Sequence, residues 1–327
     1  MICHHPFRPT PLFFLPGLDI HASTLVARGW APRTRSGYSA AVKRYLSFTD
    51  QHSLDPLPLD EARVLRFVAH LHLQGLAPAT IRMYLSAIRA WLISLGMQEP
   101  QIWTPRVILA CKAVSRDHHP PHQALPITFH ILSQILSSLT SSYDHLLIAS
   151  AITLQYFACL RASELCANTS LHLVPLRSDI SFYRTDSSSI MVYHCNSSKT
   201  AHHGFKVHVG CSHKPICAVC ITHYFISTYP AAPTQPLYKF SSGQLLTYPI
   251  YNAIIKRLVA LAGFNPAHYS THSIRAGAAT QAARSGLDPE SIKRLGRWRS
   301  QAYTLYLRPP PETYADLAPP LAQHLPH

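Results

Sequence analysis

The stretch Ser270-Thr-His-Ser-Ile-Arg-Ala-Gly-Ala-Ala-Thr280 holds the densest set of chemically capable residues in this 327-residue chain. Ser270 or Thr271 can cap a helix, and His272 and Arg275 then stand three apart on one face. An arginine presents a planar fork of N–H donors that suits paired anionic oxygens, and a histidine can give or take a proton near neutral pH. The side chains of Ala276, Gly277, Ala278 and Ala279 are small enough for another backbone or a ligand to come close. Asp288-Pro289-Glu290 then reads as a helix start, with cap, N1 proline and first-turn acid in order, and Gly296 closes that helix. Next comes Gly296-Arg-Trp-Arg-Ser-Gln-Ala-Tyr-Thr-Leu-Tyr306, with Ser300 as a cap and Tyr303 and Tyr306 on neighbouring positions of one face.

A rival signal lies at Cys211-Ser-His213-Lys-Pro-Ile-Cys217-Ala-Val-Cys220-Ile-Thr-His223. Cys-x-x-Cys with histidine nearby is zinc-like spacing. The residues from Ile216 onward also read as an amphipathic helix in which cysteine acts as a small hydrophobe. That reading is preferred, and no metal site is expected.

These groups need a folded scaffold, and composition says there is one. Hydrophobic residues make up 47% of the chain, too many for a disordered polymer. Charged residues are only 13%, and the shortage is one-sided: Lys and Arg number 29 against 15 Asp and Glu, a net charge of +14. Such a balance fits a polyanionic partner, nucleic acid first and an anionic membrane surface second. The longest apolar run, Leu146 to Leu160, is too short to span a bilayer and carries Ser150, Thr153 and Gln155. The apolar start, Pro11 to Leu18, is broken by Pro16 and lacks a cleavage site, so no signal peptide is expected. Eight scattered cysteines, several in apolar helical patterns, point to reduced thiols inside a cell.

The chain reads as mainly α with a small antiparallel β-hairpin or sheet. Residues 1–22 form an irregular leader. Residues 23–115 hold four short helices: one opening at Pro32 with Tyr38, Ala41, Val42, Tyr45 and Leu46 inward, and one from Pro58 with Val64, Leu65, Val68 and Leu71. A third starts at Pro78 with Ile81, Tyr84, Leu85, Ile88 and Leu92, and a fourth runs near Pro105 to Val114. Residues 116–124 are a polar, proline-bearing linker. The segment 125–308 opens helically over Ile127–Leu139 and Tyr143–Cys159. It continues into a hairpin of Ser189–Cys195 and Gly204–Gly210, and returns to helix from about Ile221. Residues 309–327 are a tail whose Leu317, Leu321 and Leu325, each four apart, form an apolar stripe that needs a groove to bury it. Both halves are basic, 13 basic against 7 acidic groups before residue 119 and 16 against 8 after it. Two basic domains holding one polyanion is the expected arrangement.

His272-Ser-Ile-Arg275, then Trp298, then Tyr306 resembles the C-terminal signature of the tyrosine recombinases, or phage-type integrases. The run from Gly296 to Tyr306 is most similar to the integrases of eukaryotic DIRS-like and crypton-like mobile elements. The resemblance extends upstream: Cys159-Leu-Arg161-Ala-Ser-Glu164 matches the first arginine motif, and Ser197-Ser-Lys199-Thr200 in the hairpin turn matches the catalytic lysine. It covers roughly residues 23–310, with 23–115 as the helical core-binding (SAM-like) domain and 125–308 as an α+β catalytic domain.

The family implies a site-specific recombinase that cuts and rejoins double-stranded DNA through a 3′-phosphotyrosyl link, for mobile-element integration. No cofactor, ATP, metal or small-molecule substrate is implied, and the expected partners are double-stranded DNA and other copies in a tetramer on paired sites. A nuclear location follows. Arg161 and Arg275 would fork onto the non-bridging phosphate oxygens, and Lys199 would protonate the departing 5′ oxygen. His272 would manage the tyrosine proton or hold the phosphate. Trp298 would donate one indole N–H and buttress the tyrosine. Residue chemistry alone ranks Tyr303 and Tyr306 evenly as nucleophile; the family's spacing selects Tyr306. Arg33, Arg35, Lys43, Arg44, Arg82 and Arg89 are the DNA contacts expected of the helical domain, Arg82 and Arg89 sharing a face seven residues apart. Each residue also has an ordinary reading, Arg161 for example as a cation closing a helix C-terminus. The rival function is a non-catalytic DNA-binding protein derived from such an integrase.

Overall fold

The computed structural model describes residues 16–98, 100–118, 124–168, 173–196 and 204–307. The chain forms two compact units, 1–121 and 122–327. Each has its own hydrophobic core.

The first unit is all helix: α1 (Pro16–Arg28), α2 (Pro32–Gln51), α3 (Glu61–Leu73), α4 (Pro78–Ser94) and α5 (Pro105–Asp117). Proline at the first turn starts α2, α4 and α5, where its missing N–H costs nothing. The α3 helix starts three residues later than Pro58, because the Asp60 carboxylate accepts from the Arg63 N–H and sets the cap there. Its buried stripe is Val64, Phe67, Val68 and Leu71, with Leu65 only partly covered. Tyr45, Phe48, Phe67 and Trp91 pack ring against ring in the centre. The leader expected over 1–22 is corrected at its end, since α1 already begins at Pro16. That helix was missed because Leu18, Ile20, Leu25 and Val26 are exposed and give no inward stripe.

The second unit contains α6 (Phe129–Ser137), α7 (Tyr143–Phe157), α8 (Ala218–Thr228), α9 (Tyr248–Leu261), α10 (Thr271–Arg284) and α11 (Pro289–Gly296). A three-stranded antiparallel sheet runs β1 (Ile180–Arg184), β2 (Ser189–Cys195), β3 (Phe205–Gly210). The hairpin is as expected, with Ile190 opposite Gly210 and Cys195 opposite Phe205. Strand β1 is an addition; its outward residues are polar or partly exposed, and five residues give little alternation to read. Among the described residues, no helix is long and apolar enough to cross a membrane. The hairpin turn and the tail after Pro309 lie outside the described residues.

The second unit is built around α7, which is buried along most of its length, and α10, which packs on it. The small-residue run of α10 meets a backbone: the Ile127 N–H donates to the Ser273 carbonyl at 2.9 Å, and a Cβ on Gly277 would land on the Ile127 carbonyl oxygen. Gly277→Ala should therefore cost about 3 kcal/mol, the upper end of overpacking penalties because a backbone cannot rotate away. Urea unfolding of the variant measures this. A cost below half of that would mean the Ile127 segment yields.

Candidate active site

The α7 helix ends at Phe157, and the chain then turns sharply, with Cys159 in the left-handed region at φ 47°. This presents the Ala158 and Cys159 carbonyls, at the negative end of the helix, to whatever lies beyond. Two arginines from far along the chain take them. Arg275, on α10, donates from Nη1 to the Cys159 oxygen at 2.5 Å and from Nη2 to the Gly296 oxygen at 2.5 Å. Arg297 donates to Ala158 at 3.1 Å and to Cys159 at 3.2 Å. The cation closing this helix is thus not Arg161, as the ordinary reading of that residue would have it.

Arg161 instead begins a 3-10 turn (Ala162–Glu164) and pairs with Glu164 at 2.7 Å. The same carboxylate accepts the Arg161 backbone N–H at 2.8 Å and Nη2 of Arg297 at 3.0 Å. The Tyr193 hydroxyl donates to the Glu164 carbonyl at 2.6 Å, tying this turn to β2. Two guanidiniums, Arg161 and Arg297, therefore share one buried carboxylate, and a third, Arg275, lies beside them on backbone carbonyls. Nε of Arg275 and Nε of Arg297 are buried with no hydrogen-bond partner among the described residues. A cluster with two uncompensated positive charges and spare donors is arranged for an anion.

His272 stands in the first turn of α10, its N–H donating to the Ser270 hydroxyl at 3.2 Å. Below it, the Gln155 amide donates to the Thr271 carbonyl at 3.1 Å and accepts from the Tyr251 hydroxyl at 2.8 Å, so a buried polar network fixes the start of the helix. One edge of His272 faces solvent. Loss of water on its other side, then the charges of Arg275 and Arg161, hold its imidazole below the usual histidine value. The unfolded chain takes that proton at about pH 6.5, and the folded chain only at lower pH. This histidine therefore withdraws stability as the pH falls below that point. Compared with His272→Gln, the wild type should lose ground in denaturant titrations below pH 6.5 and none above it; a constant difference would refute the shift.

The α11 helix begins at Asp288, whose carboxylate accepts from the Glu290 and Ser291 N–H groups. It ends at Gly296, but the left-handed residue is the next one, Arg297 at φ 56°. Gly296 serves closeness instead: a Cβ there would fall on the Trp298 ring. Trp298 is buried and stacks on the Arg275 guanidinium at 4.3 Å. A 3-10 segment (Gln301–Tyr306), capped by Ser300, carries both tyrosines. Tyr303 is buried near Trp298 at 6.4 Å and Lys293 at 5.9 Å. Tyr306 is half-buried, 5.2 Å from the Trp298 ring and 5.4 Å from the Arg275 guanidinium.

Arg161, His272, Arg275, Trp298 and Tyr306 thus surround one spot, while Lys199 lies outside the described residues. The sequence reading missed Arg297; a non-glycine residue directly after a helix-ending glycine was the available signal. In the first unit, Lys43 and Arg44 on α2 and Arg82 and Arg89 on α4 are exposed, and Arg35 is half-exposed. Arg44 is engaged with Gln74 and Arg82 with Ser115. Arg33 lies on α2, where its backbone alone is described.

Residues 22–95 match the family described as phage integrase, N-terminal SAM-like domain. No curated protein sequence matches the chain. Among solved structures, the XerH site-specific recombinase bound to its palindromic difH substrate is 15% identical, with a TM-score of 0.63 over 92% of this chain and 83% of that one. The fold is that of the tyrosine recombinases. The Tn1549 transposon integrase in complex with transposon right end DNA shares it at 16% identity and TM-score 0.60, over 92% of this chain and 98% of that one. A lambda integrase dimer bound to a COC′ core site does so at 14% and 0.58, over 90% and 95%.

Proposed function

We propose that this chain is a DNA strand-transferase that cuts and rejoins double-stranded DNA through a tyrosyl intermediate. The observation that carries this is the arginine cluster: two guanidiniums paired with one buried carboxylate and a third, Arg275, beside them with a half-buried phenol stacked on it. A phosphodiester under attack by a phenol becomes a crowded, strongly anionic centre, and preorganised N–H donors stabilise that state more than the starting one. Arg161 and Arg275 hold the non-bridging oxygens, with Arg297 completing the positive wall. His272, neutral near pH 7, accepts the Tyr306 proton. The Tyr306 oxygen bonds to phosphorus as the 5′ oxygen leaves, and Lys199 supplies the proton that oxygen needs. Arg275 lies wholly under Trp298 and Tyr306. Engagement of phosphate therefore requires the 3-10 segment to shift and uncover it.

The partner is duplex DNA, met by both basic units, with copies assembling on paired sites to exchange strands and integrate a mobile element in a nucleus, as the likeness to DIRS-like and crypton-like integrases suggests. Arg33, Arg35, Lys43, Arg44, Arg82 and Arg89 supply the helical unit's contacts. Binding should weaken steeply as salt rises from about 50 to 200 mM, since each phosphate contact releases counterions. An affinity that ignores salt would contradict the proposal. The decisive test is incubation with nicked suicide DNA bearing a cognate site. A covalent protein–DNA adduct is expected; its absence on DNA that the protein binds tightly would favour a binding protein that has lost the chemistry.

A further inference from the structure

Two of the thiols beyond the end of β3 differ from the other described cysteines. Cys111, Cys159, Cys166 and Cys195 are buried, as small hydrophobes should be. Cys220 is exposed and Cys211 half-exposed, so apolar packing does not account for them. Yet Cys211, Cys217 and Cys220 bring their sulfurs within 4.8 Å of one another, and among the described residues no other group of potential metal ligands does so. The Cys211 sulfur is 3.6 Å from that of Cys217 and 3.6 Å from that of Cys220. Two thiolates on a tetrahedral zinc, each bonded at about 2.3 Å, stand about 3.8 Å apart. The observed spacing is that of a ligand set, and far too long for a disulfide bond.

A fourth donor stands beside Cys211, outside the 4.8 Å that joins the three sulfurs, so its imidazole has to turn to complete the set. Nδ1 of His213 is 3.9 Å from the Cys211 sulfur, against about 3.6 Å expected between a sulfur and an imidazole nitrogen on one zinc. His213 is held in the left-handed region at φ 52°, a conformation uncommon for a side-chain-bearing residue. The surroundings also suit thiolates: the Ser212 N–H donates to the Cys217 sulfur at 3.4 Å, the kind of outer contact that orients a metal ligand. Three soft sulfurs and an imidazole select zinc over magnesium or calcium, which take oxygen.

We propose that Cys211, Cys217 and Cys220, with His213 as the fourth ligand, bind one structural zinc ion. Binding displaces the three thiol protons to solvent and leaves no open coordination position, so the ion takes no part in strand transfer. Its work is mechanical. The Cys211 N–H continues the sheet ladder to the Ser189 carbonyl at 2.8 Å, whereas Cys217 caps α8 and Cys220 lies in its first turn. The ion therefore ties the end of the hairpin to the helix that packs on α7. The helix reading of Ile216–Phe225 and the metal reading are compatible: the helix starts where the ligands converge.

The full-length protein, purified without chelator, should carry one zinc per chain by elemental analysis. Replacement by cobalt should give the thiolate charge-transfer band and the strong visible bands of a tetrahedral site. Cys217→Ser and Cys220→Ser should each lose the stoichiometric zinc, His213→Ala should release it to a competing dye faster than the wild type, and Cys166→Ser should keep it. Should the cysteine variants fail to fold, alkylation of the wild type decides: Cys211, Cys217 and Cys220 should be protected until a chelator is added. Three freely alkylated thiols in a metal-free protein supplied with zinc would overturn the proposal. So would a chain lighter by two hydrogens, which would make the cluster a disulfide pair. None of these readouts uses DNA, so failure here is separate from failure of the recombinase reading.

Discussion

Tyr306→Phe should abolish the covalent DNA adduct while leaving the fold and DNA affinity intact. The substitution removes one oxygen and keeps the ring that stacks on Trp298 at 5.2 Å and on Arg275 at 5.4 Å. Packing is therefore conserved and only the proposed nucleophile is lost. Tyr303→Phe is the matched control. Tyr303 sits one 3-10 turn earlier, buried beside Trp298 and Lys293, on the side of the segment that does not reach the guanidiniums. Its loss of a hydroxyl should leave adduct formation largely unchanged. Both variants should keep the wild-type melting temperature within a few degrees. If Tyr303→Phe removes the adduct and Tyr306→Phe does not, the nucleophile lies one turn upstream. If neither does, the tyrosyl chemistry itself is wrong.

Glu164→Ala should be the most damaging single change to the site's stability. That carboxylate is fully buried and accepts from Arg161 at 2.7 Å, from Arg297 at 3.0 Å and from a backbone N–H at 2.8 Å. Removing it leaves three arginines with no acid among them. Breaking a buried pair from one side costs roughly 3–5 kcal/mol, and the lower end applies because Arg161 and Arg297 keep some solvent contact. Added phosphate or sulfate should restore the melting temperature of the variant more than that of the wild type, because an anion can take the place of the lost charge. Equal anion effects on both proteins would mean that the cluster does not select anions. Glu164→Gln should fall between, since it still accepts an N–H but carries no charge.

Much of this protein is readable from near neighbours in the chain. Helix starts at Asp60, Ser270, Asp288 and Ser300 are set by a side chain reaching an N–H two or three residues on, so the caps expected at Ser270, Asp288 and Ser300 are found there. The inward stripes of α2, α3 and α4 follow from helical period, and the β2–β3 pair from alternation and a polar turn. The fold class was within reach for that reason. The His-x-x-Arg spacing likewise places His272 and Arg275 three apart on one helix before any tertiary contact is known.

Other features depend on residues that meet only when the chain closes on itself. Helix α1 lacks a buried stripe and β1 is too short to alternate, so neither announces itself locally. Arg297 joins the site by reaching back 133 residues to Glu164, and nothing in its immediate sequence specifies that carboxylate. Cys217 and Cys220 read equally as part of an apolar helix until the end of β3 brings Cys211 to the cap of α8. Tyr306 and Tyr303 are equivalent phenols three residues apart, and residue chemistry ranks them evenly. Only the packing of the 3-10 segment on Trp298 and α10 turns one toward the guanidiniums and the other into the core. Periodicity and caps act over one or two turns, so they specify elements; charge clusters and ligand sets act over a few ångströms of space, so they exist only once those elements are packed.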